Sequence, residues 1–164
     1  MVLSAFTLFH VVLSLVGIAS GLIVLYGLLE SKRFNGWTAI FLTTTVATSA
    51  TGFLFPFHGI TPGIIVGILS LIVLAVAIVA RYRYGLAGGW RATYVATSIT
   101  ALYFNVFVLV AQSFEKVPAL KALAPTQTEA PFAVTQLVVL AIFIALGARA
   151  VMKFHDAPIR AVHA

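Results

Sequence analysis

Four histidines, three side-chain amides set in apolar runs and no cysteine are nearly all the chemistry this 164-residue chain offers. Imidazole is a common ligand of iron, copper and zinc, so His10 and His58 are the candidates for holding a b-type haem or a metal. His155 and His163 lie at the far end of the chain and fall on the opposite side of any membrane the chain crosses. Without cysteine there is no thiolate metal site, disulfide or thiol nucleophile. The four acids, Glu30, Glu115, Glu129 and Asp156, sit at the ends of apolar runs or between them. None completes a metal shell or orients a nucleophile–base pair, so no catalytic residue is assigned. Gly85-Leu86-Ala87-Gly88-Gly89 follows Arg81-Tyr82-Arg83-Tyr84, but the Lys-Ser/Thr of a phosphate loop is missing. The arginines and tyrosines of that segment instead suit anionic lipid headgroups.

The elements that must carry these residues follow from composition. Hydrophobic residues make up 62% of the chain and charged residues 9%, against roughly 45–50% and about 25% in soluble domains. So few charges cannot coat a water-soluble surface. A soluble enzyme, a disordered chain and a nucleic-acid binder are excluded, leaving an integral membrane protein. A crossing helix needs about 20 apolar residues. Charge-free runs predict five, at about 4–29, 37–56, 62–81, 92–114 and 131–152, in one all-α domain over 1–154 with a short tail at 155–164. The turn between the second and third spans is written in Pro56, Gly59 and Pro62. Continuous apolar stretches such as Ile64-Ile65-Val66-Gly67-Ile68-Leu69 argue against a β-barrel, whose strands alternate.

Five spans put the termini on opposite sides. Lys32, Arg33, Arg81, Arg83, Arg91, Arg149, Lys153 and Arg160 fall on one side, and only Lys116 and Lys121 on the other. The positive-inside rule makes the first side cytoplasmic, with the N-terminus outside. Trp37, Trp90, Tyr26, Tyr82, Tyr84 and Tyr94 gather near the inner interface, as an aromatic belt does. The first span lacks a basic leader and is read as a permanent anchor rather than a cleaved signal peptide. The outer stretch from Glu115 to Pro131 is read as extended loop, its prolines opposing a sixth helix.

Helices in lipid associate through small residues and polar pairs. Gly17-x-x-x-Gly21 and Gly63-x-x-x-Gly67 serve either packing within the bundle or a homo-oligomer. His10, Ser14, Gly17 and Gly21 share one face of the first helix, and Ser98, Ala101, Asn105 and Gln112 one face of the fourth. With Gln136 and His58, these place His10, His58, Asn105, Gln112 and Gln136 as one polar cluster in the outer third of the bundle. Intramembrane polar groups mark a site by default. Here they support three readings: a structural network in an accessory or interaction protein, a haem or metal site, or a quinone or lipid pocket. Ion-coupled transport is disfavoured because no acid is buried. The bilayer is the partner that composition implies; a membrane-protein partner or second copy is compatible, and nucleic acid is not.

Three segments carry a resemblance: Thr51-Gly52-Phe53-Leu54-Phe55-Pro56-Phe57-His58, Ala80-Arg81-Tyr82-Arg83-Tyr84, and the stretch from Lys116-Val117-Pro118 to Ala124-Pro125-Thr126-Gln127. The chain resembles a group of small uncharacterised multi-spanning proteins of the bacterial inner membrane. The resemblance implies that membrane as its location and carries over no activity or substrate.

Overall fold

The second of the five apolar runs is also the most hydroxyl-rich, and its placement organises the molecule. A computed structural model describes residues 2–56 and 59–155; the tail residues Asp156, Arg160 and His163 fall outside the described residues. The helices are α1 (Val2–Leu29), α2 (Asn35–Gly52), α3 (Pro62–Ile78), α4 (Gly89–Lys116), α5 (Pro118–Leu123) and α6 (Ala130–Lys153), with a π-helical turn over Val79–Arg83. Four stretches, Ser4–Leu29, Pro62–Arg83, Gly89–Lys116 and Ala130–Lys153, are long and apolar enough to cross a membrane. The fifth, α2, is not among them. It carries Thr38, Thr43, Thr44, Thr45, Thr48, Ser49 and Thr51 within 18 residues.

Neighbouring helices alternate in direction. His10 meets Thr51, and Gly21 meets Phe41, so α2 runs back along α1. Ser49 bonds to Ser70 at 3.0 Å, and Gly67 lies against Phe53, so α3 is antiparallel to α2. On α4, Asn105 and Leu102 stand opposite Gly17 and Gly21. Tyr103 packs on Phe143, and Phe114 on Phe132, joining α4 antiparallel to α6. The backbone N–H of His155 donates to Ser31 Oγ at 2.9 Å and closes α6 onto the α1–α2 turn.

Local chemistry explains most of the boundaries. Thr61 caps α3, its hydroxyl accepting from Ile64 N–H at 3.3 Å, with Pro62 in the first turn, where a missing N–H costs nothing. The second expected span, 37–56, ends as helix at Gly52 because Pro56 disfavours helical backbone before it. The outer stretch departs from expectation: Pro118–Leu123 is a short helix, not extended loop. Pro118 sits at its start, where proline promotes a helix, and Ala119, Leu120, Lys121 and Ala122 are good helix formers.

The core occupies the basic end of the bundle. Val24, Leu28, Phe41, Leu74, Val95, Leu102 and Phe154 are buried together there. Tyr94 belongs to this core, 1% exposed, and so is not the interfacial anchor expected of it; Tyr26, Tyr82, Tyr84 and Trp37 are exposed as a belt requires. Outward faces of α1, α3 and α6 carry Leu15, Leu22, Ile68, Ile72, Leu137 and Ile144, an apolar coat suited to lipid.

The first small-residue motif is spent inside the bundle. A Cβ on Gly21 would lie 2.6 Å from Leu102 Cδ1 and 2.9 Å from the Phe41 ring. One on Gly17 would lie 3.1 Å from Asn105 Nδ2 and from Thr45 Oγ1. Side chains of α2 and α4 therefore pack directly on the α1 backbone at both glycines, most tightly at Gly21. Gly21→Ala is expected to destabilise the detergent-solubilised protein by about 1–3 kcal/mol, as overpacking does. Gly36→Ala, where a Cβ meets nothing within 4 Å, is expected to be neutral or stabilising by up to about 1 kcal/mol. Denaturant titration of both variants checks this; equal stabilities would remove the close approach.

Candidate functional site

His10 is positioned by the α1–α2 hairpin. Its Nδ1 lies 2.8 Å from Thr51 Oγ1, and that hydroxyl is 2.7 Å from the Ala47 carbonyl one turn back. A Thr51 hydroxyl that donates to Ala47 accepts from His10 in the tautomer with its proton on Nδ1. The Nε2 lone pair is then the one left for a ligand or water. Around the imidazole the surroundings are aromatic: Phe55 stands edge-on at 5.0 Å, and Phe6 packs on Phe55.

Deeper in the bundle, Asn105 Nδ2 donates to Thr45 Oγ1 at 3.4 Å, a long bond by ordinary geometry. Thr45 is fully buried, and Gly17 leaves the room in which the two meet. This node ties α4 to α2 across the backbone of α1. Gln136 of α6 packs against a different face of α4: its Nε2 donates to the Phe107 carbonyl at 3.1 Å, and its buried Oε1 has no partner among the described residues.

The expected cluster is therefore divided. His10 faces α2, Asn105 faces α1 and α2, and Gln136 lies at the α4–α6 contact. Gln112 is exposed, and His58 falls outside the described residues. Asn105 and Gln112 are seven residues apart on α4, and the Lys116 end of that helix leaves Gln112 uncovered. For haem or metal, His10 supplies one nitrogen, while the second ligand of that reading is the undescribed His58. Among the described residues no group of three His, Asp or Glu side chains is placed to hold a metal ion.

Two features of the end opposite the arginines had no sequence signal beyond polarity. Gln127, in left-handed backbone (φ 59°), donates from Nε2 to the Ala111 carbonyl at 2.8 Å and pins the loop to α4. Glu129 closes the same loop. Its carboxylate accepts from the Thr126 hydroxyl at 2.8 Å and from the backbone N–H groups of Thr126 and Thr128. Desolvation pushes its pKa up, but these hydrogen bonds outweigh that and hold the carboxyl below its ordinary value.

The fold thus defines an all-helical bundle of the membrane-protein class, with four helices long and apolar enough to span. No family model, curated protein or solved structure matches the chain.

Two outcomes follow. A carboxyl with a depressed folded pKa contributes order that is complete above its unfolded pKa and lost as the pH falls through the folded one. Amide protection at Thr126 and Thr128 is therefore expected at neutral pH and lost on acidification, with Glu129→Gln unprotected throughout; protection in the variant would refute the carboxylate clasp. Asn105→Ala is expected to cost about 0.6 kcal/mol, the average for interhelical bonds in membranes, measured by unfolding in detergent. A cost near zero would leave the Asn105–Thr45 contact without a stabilising role.

Proposed function

We propose that this is a five-span protein of a bacterial inner membrane, N-terminus outside and C-terminus cytoplasmic, acting as an accessory or interaction protein rather than a catalyst. The observation that carries the span count is the pairing of α2 along α1. From Phe41 against Gly21 to Thr51 against His10, α2 follows its neighbour antiparallel. Its 18 residues extend roughly 27 Å at 1.5 Å per residue, close to the roughly 30 Å of a hydrocarbon core. Though too polar to meet lipid alone, it is flanked by α1, α3 and α4.

Orientation is supported by charge. The α1–α2 turn, the α3–α4 turn and the end of α6 bring Lys32, Arg33, Arg81, Arg83, Arg91, Arg149 and Lys153 to one end of the bundle, while Lys116 and Lys121 stand at the other. Such a bias retains its end in the cytoplasm. The accessory role is supported by how the intramembrane polar groups are used. His10, Asn105 and Gln136 each bond to the bundle itself, as structural groups do. The least buried spanning helix, α6, turns Val134, Leu137, Val138 and Ile142 outward, a face for lipid or for a membrane partner.

Reporter fusions test the topology. Green fluorescent protein at the C-terminus is expected to fluoresce and alkaline phosphatase there to be inactive. Active phosphatase would overturn the span count or the orientation. The rival redox reading has its own signature: protein purified from haem-replete cells is expected to show no Soret band, and a band abolished by His10→Ala would establish a haem site in place of the accessory role.

A further inference from the structure

A cleft opens at the basic end, away from His10. It measures about 530 Å³ and is lined by Arg33, Asn35, Arg81, Tyr82, Arg83 and Tyr84. Three arginines belong to its lining, and among the described residues no carboxylate does. The π-helical turn Val79–Arg83 builds this wall: its extra residue per turn directs Arg81 inward and leaves Arg83 and Tyr82 outside.

Arg81 is the unusual member. It is 3% exposed, whereas a basic residue at a helix end ordinarily extends to water. The guanidinium is held between two rings, 5.3 Å from Tyr94 and 5.7 Å from Tyr82. One Nη2 hydrogen bond goes to Asn35 Oδ1 on α2. Its Nε is buried with no partner among the described residues. A neutral amide and two ring faces do not offset the loss of water around a full positive charge. If Arg81 only joined α2, α3 and α4, an apolar side chain would do so at lower cost. At the rim, the Arg83 guanidinium lies 5.9 Å from the Tyr84 ring, and Tyr84 stacks on Trp90 at 4.1 Å with the planes 3° apart. The rim is therefore a fixed aromatic surface carrying a cation.

We propose that this cleft binds a phosphate group, with Arg81 and Arg83 as its charge partners and the phosphodiester of an anionic phospholipid as the principal source. Guanidinium matches phosphate oxygens with paired donors. Basic pockets between spanning helices at the cytoplasmic face are where acidic headgroups bind. Tyr82 and Tyr84, both exposed, stand where interfacial rings meet headgroups. The bilayer reading above supplies only the lipid source; the charge geometry is independent of topology, and a soluble phosphate shares the same chemistry.

Full-length protein in detergent is titrated with phosphatidylglycerol or phosphatidylcholine, and bound lipid is counted by native mass spectrometry. Inorganic phosphate is titrated separately by calorimetry. One phosphatidylglycerol molecule is expected to be retained in preference to phosphatidylcholine. Its affinity is expected to fall about fivefold in Arg83→Gln, the scale of one interfacial charge, to fall at least as far in Arg81→Gln, and to hold in Arg149→Gln outside the cleft. Should Arg81→Gln fail to fold, the exposed Arg83→Gln decides alone. Saturable binding of inorganic phosphate with the same dependence on Arg83 also supports the site and names free phosphate as its source. Equal retention of both lipids without phosphate binding overturns the proposal, as does lipid binding that ignores Arg83→Gln or falls equally in Arg149→Gln. Because binding is read in detergent, its failure is distinct from a failure of the topology reporters.

Discussion

A helix bearing seven hydroxyl side chains in 18 residues cannot meet hydrocarbon as readily as its neighbours, and the bundle is arranged around that constraint. Thr44 and Thr51 donate to carbonyls one turn back on α2, which satisfies a hydroxyl locally. Others reach out: Ser49 to Ser70 on α3, and Thr45 to Asn105 on α4. Those bonds require short distances between helices, and on α1 the distance is set by Gly17 and Gly21. Removing side chains from one helix is thus what allows polar side chains on the next to be buried. The apolar residues of α1, α3 and α6 then turn outward.

The two ends of the bundle are built differently. At the basic end, Phe41, Leu74, Tyr94, Val95, Leu102 and Phe154 form a packed core beneath the arginine cleft, and a buried guanidinium there is held by Tyr94. At the other end, Leu8, Phe9, Val12 and Leu15 of α1 are exposed, and order comes from aromatic pairs, from the Gln127 bond to α4 and from the Glu129 clasp. Rigid packing near the cation cluster and lighter packing opposite mean that the better preorganised binding surface lies where the charges are.

Much of the helical layout was legible in the sequence because it depends on where charges are absent. Lys32-Arg33, Arg81 to Arg91 and Lys116 mark the ends of charge-free runs that hold α1, the α2–α3 pair and α4, and Thr61-Pro62 marks the start of α3. The six-residue α5 is hard to see in the sequence because proline both breaks and starts helices, and Pro118 acts as an initiator. The site was less legible. Asn105 and Gln112, seven residues apart on α4, differ in burial, because which faces are covered depends on helix rotation and on how far neighbours extend. Gln136 was expected to join them and instead bonds at the α4–α6 contact. The Asn35–Arg81 pair joins residues 46 positions apart, and no local pattern announces it.

The central claim is that α2 crosses the membrane within the bundle, and single-cysteine labelling tests it most directly because the chain has no cysteine of its own. Gly36 lies one residue inside the start of α2 and Ile60 in the turn between α2 and α3, both exposed, while Thr45 is fully buried at the middle of α2. A membrane-impermeant maleimide applied to intact cells is expected to label Ile60→Cys but not Gly36→Cys, to label both after permeabilisation, and to leave Thr45→Cys unmodified in either case. Labelling of Gly36→Cys and Ile60→Cys from the same side would contradict the crossing.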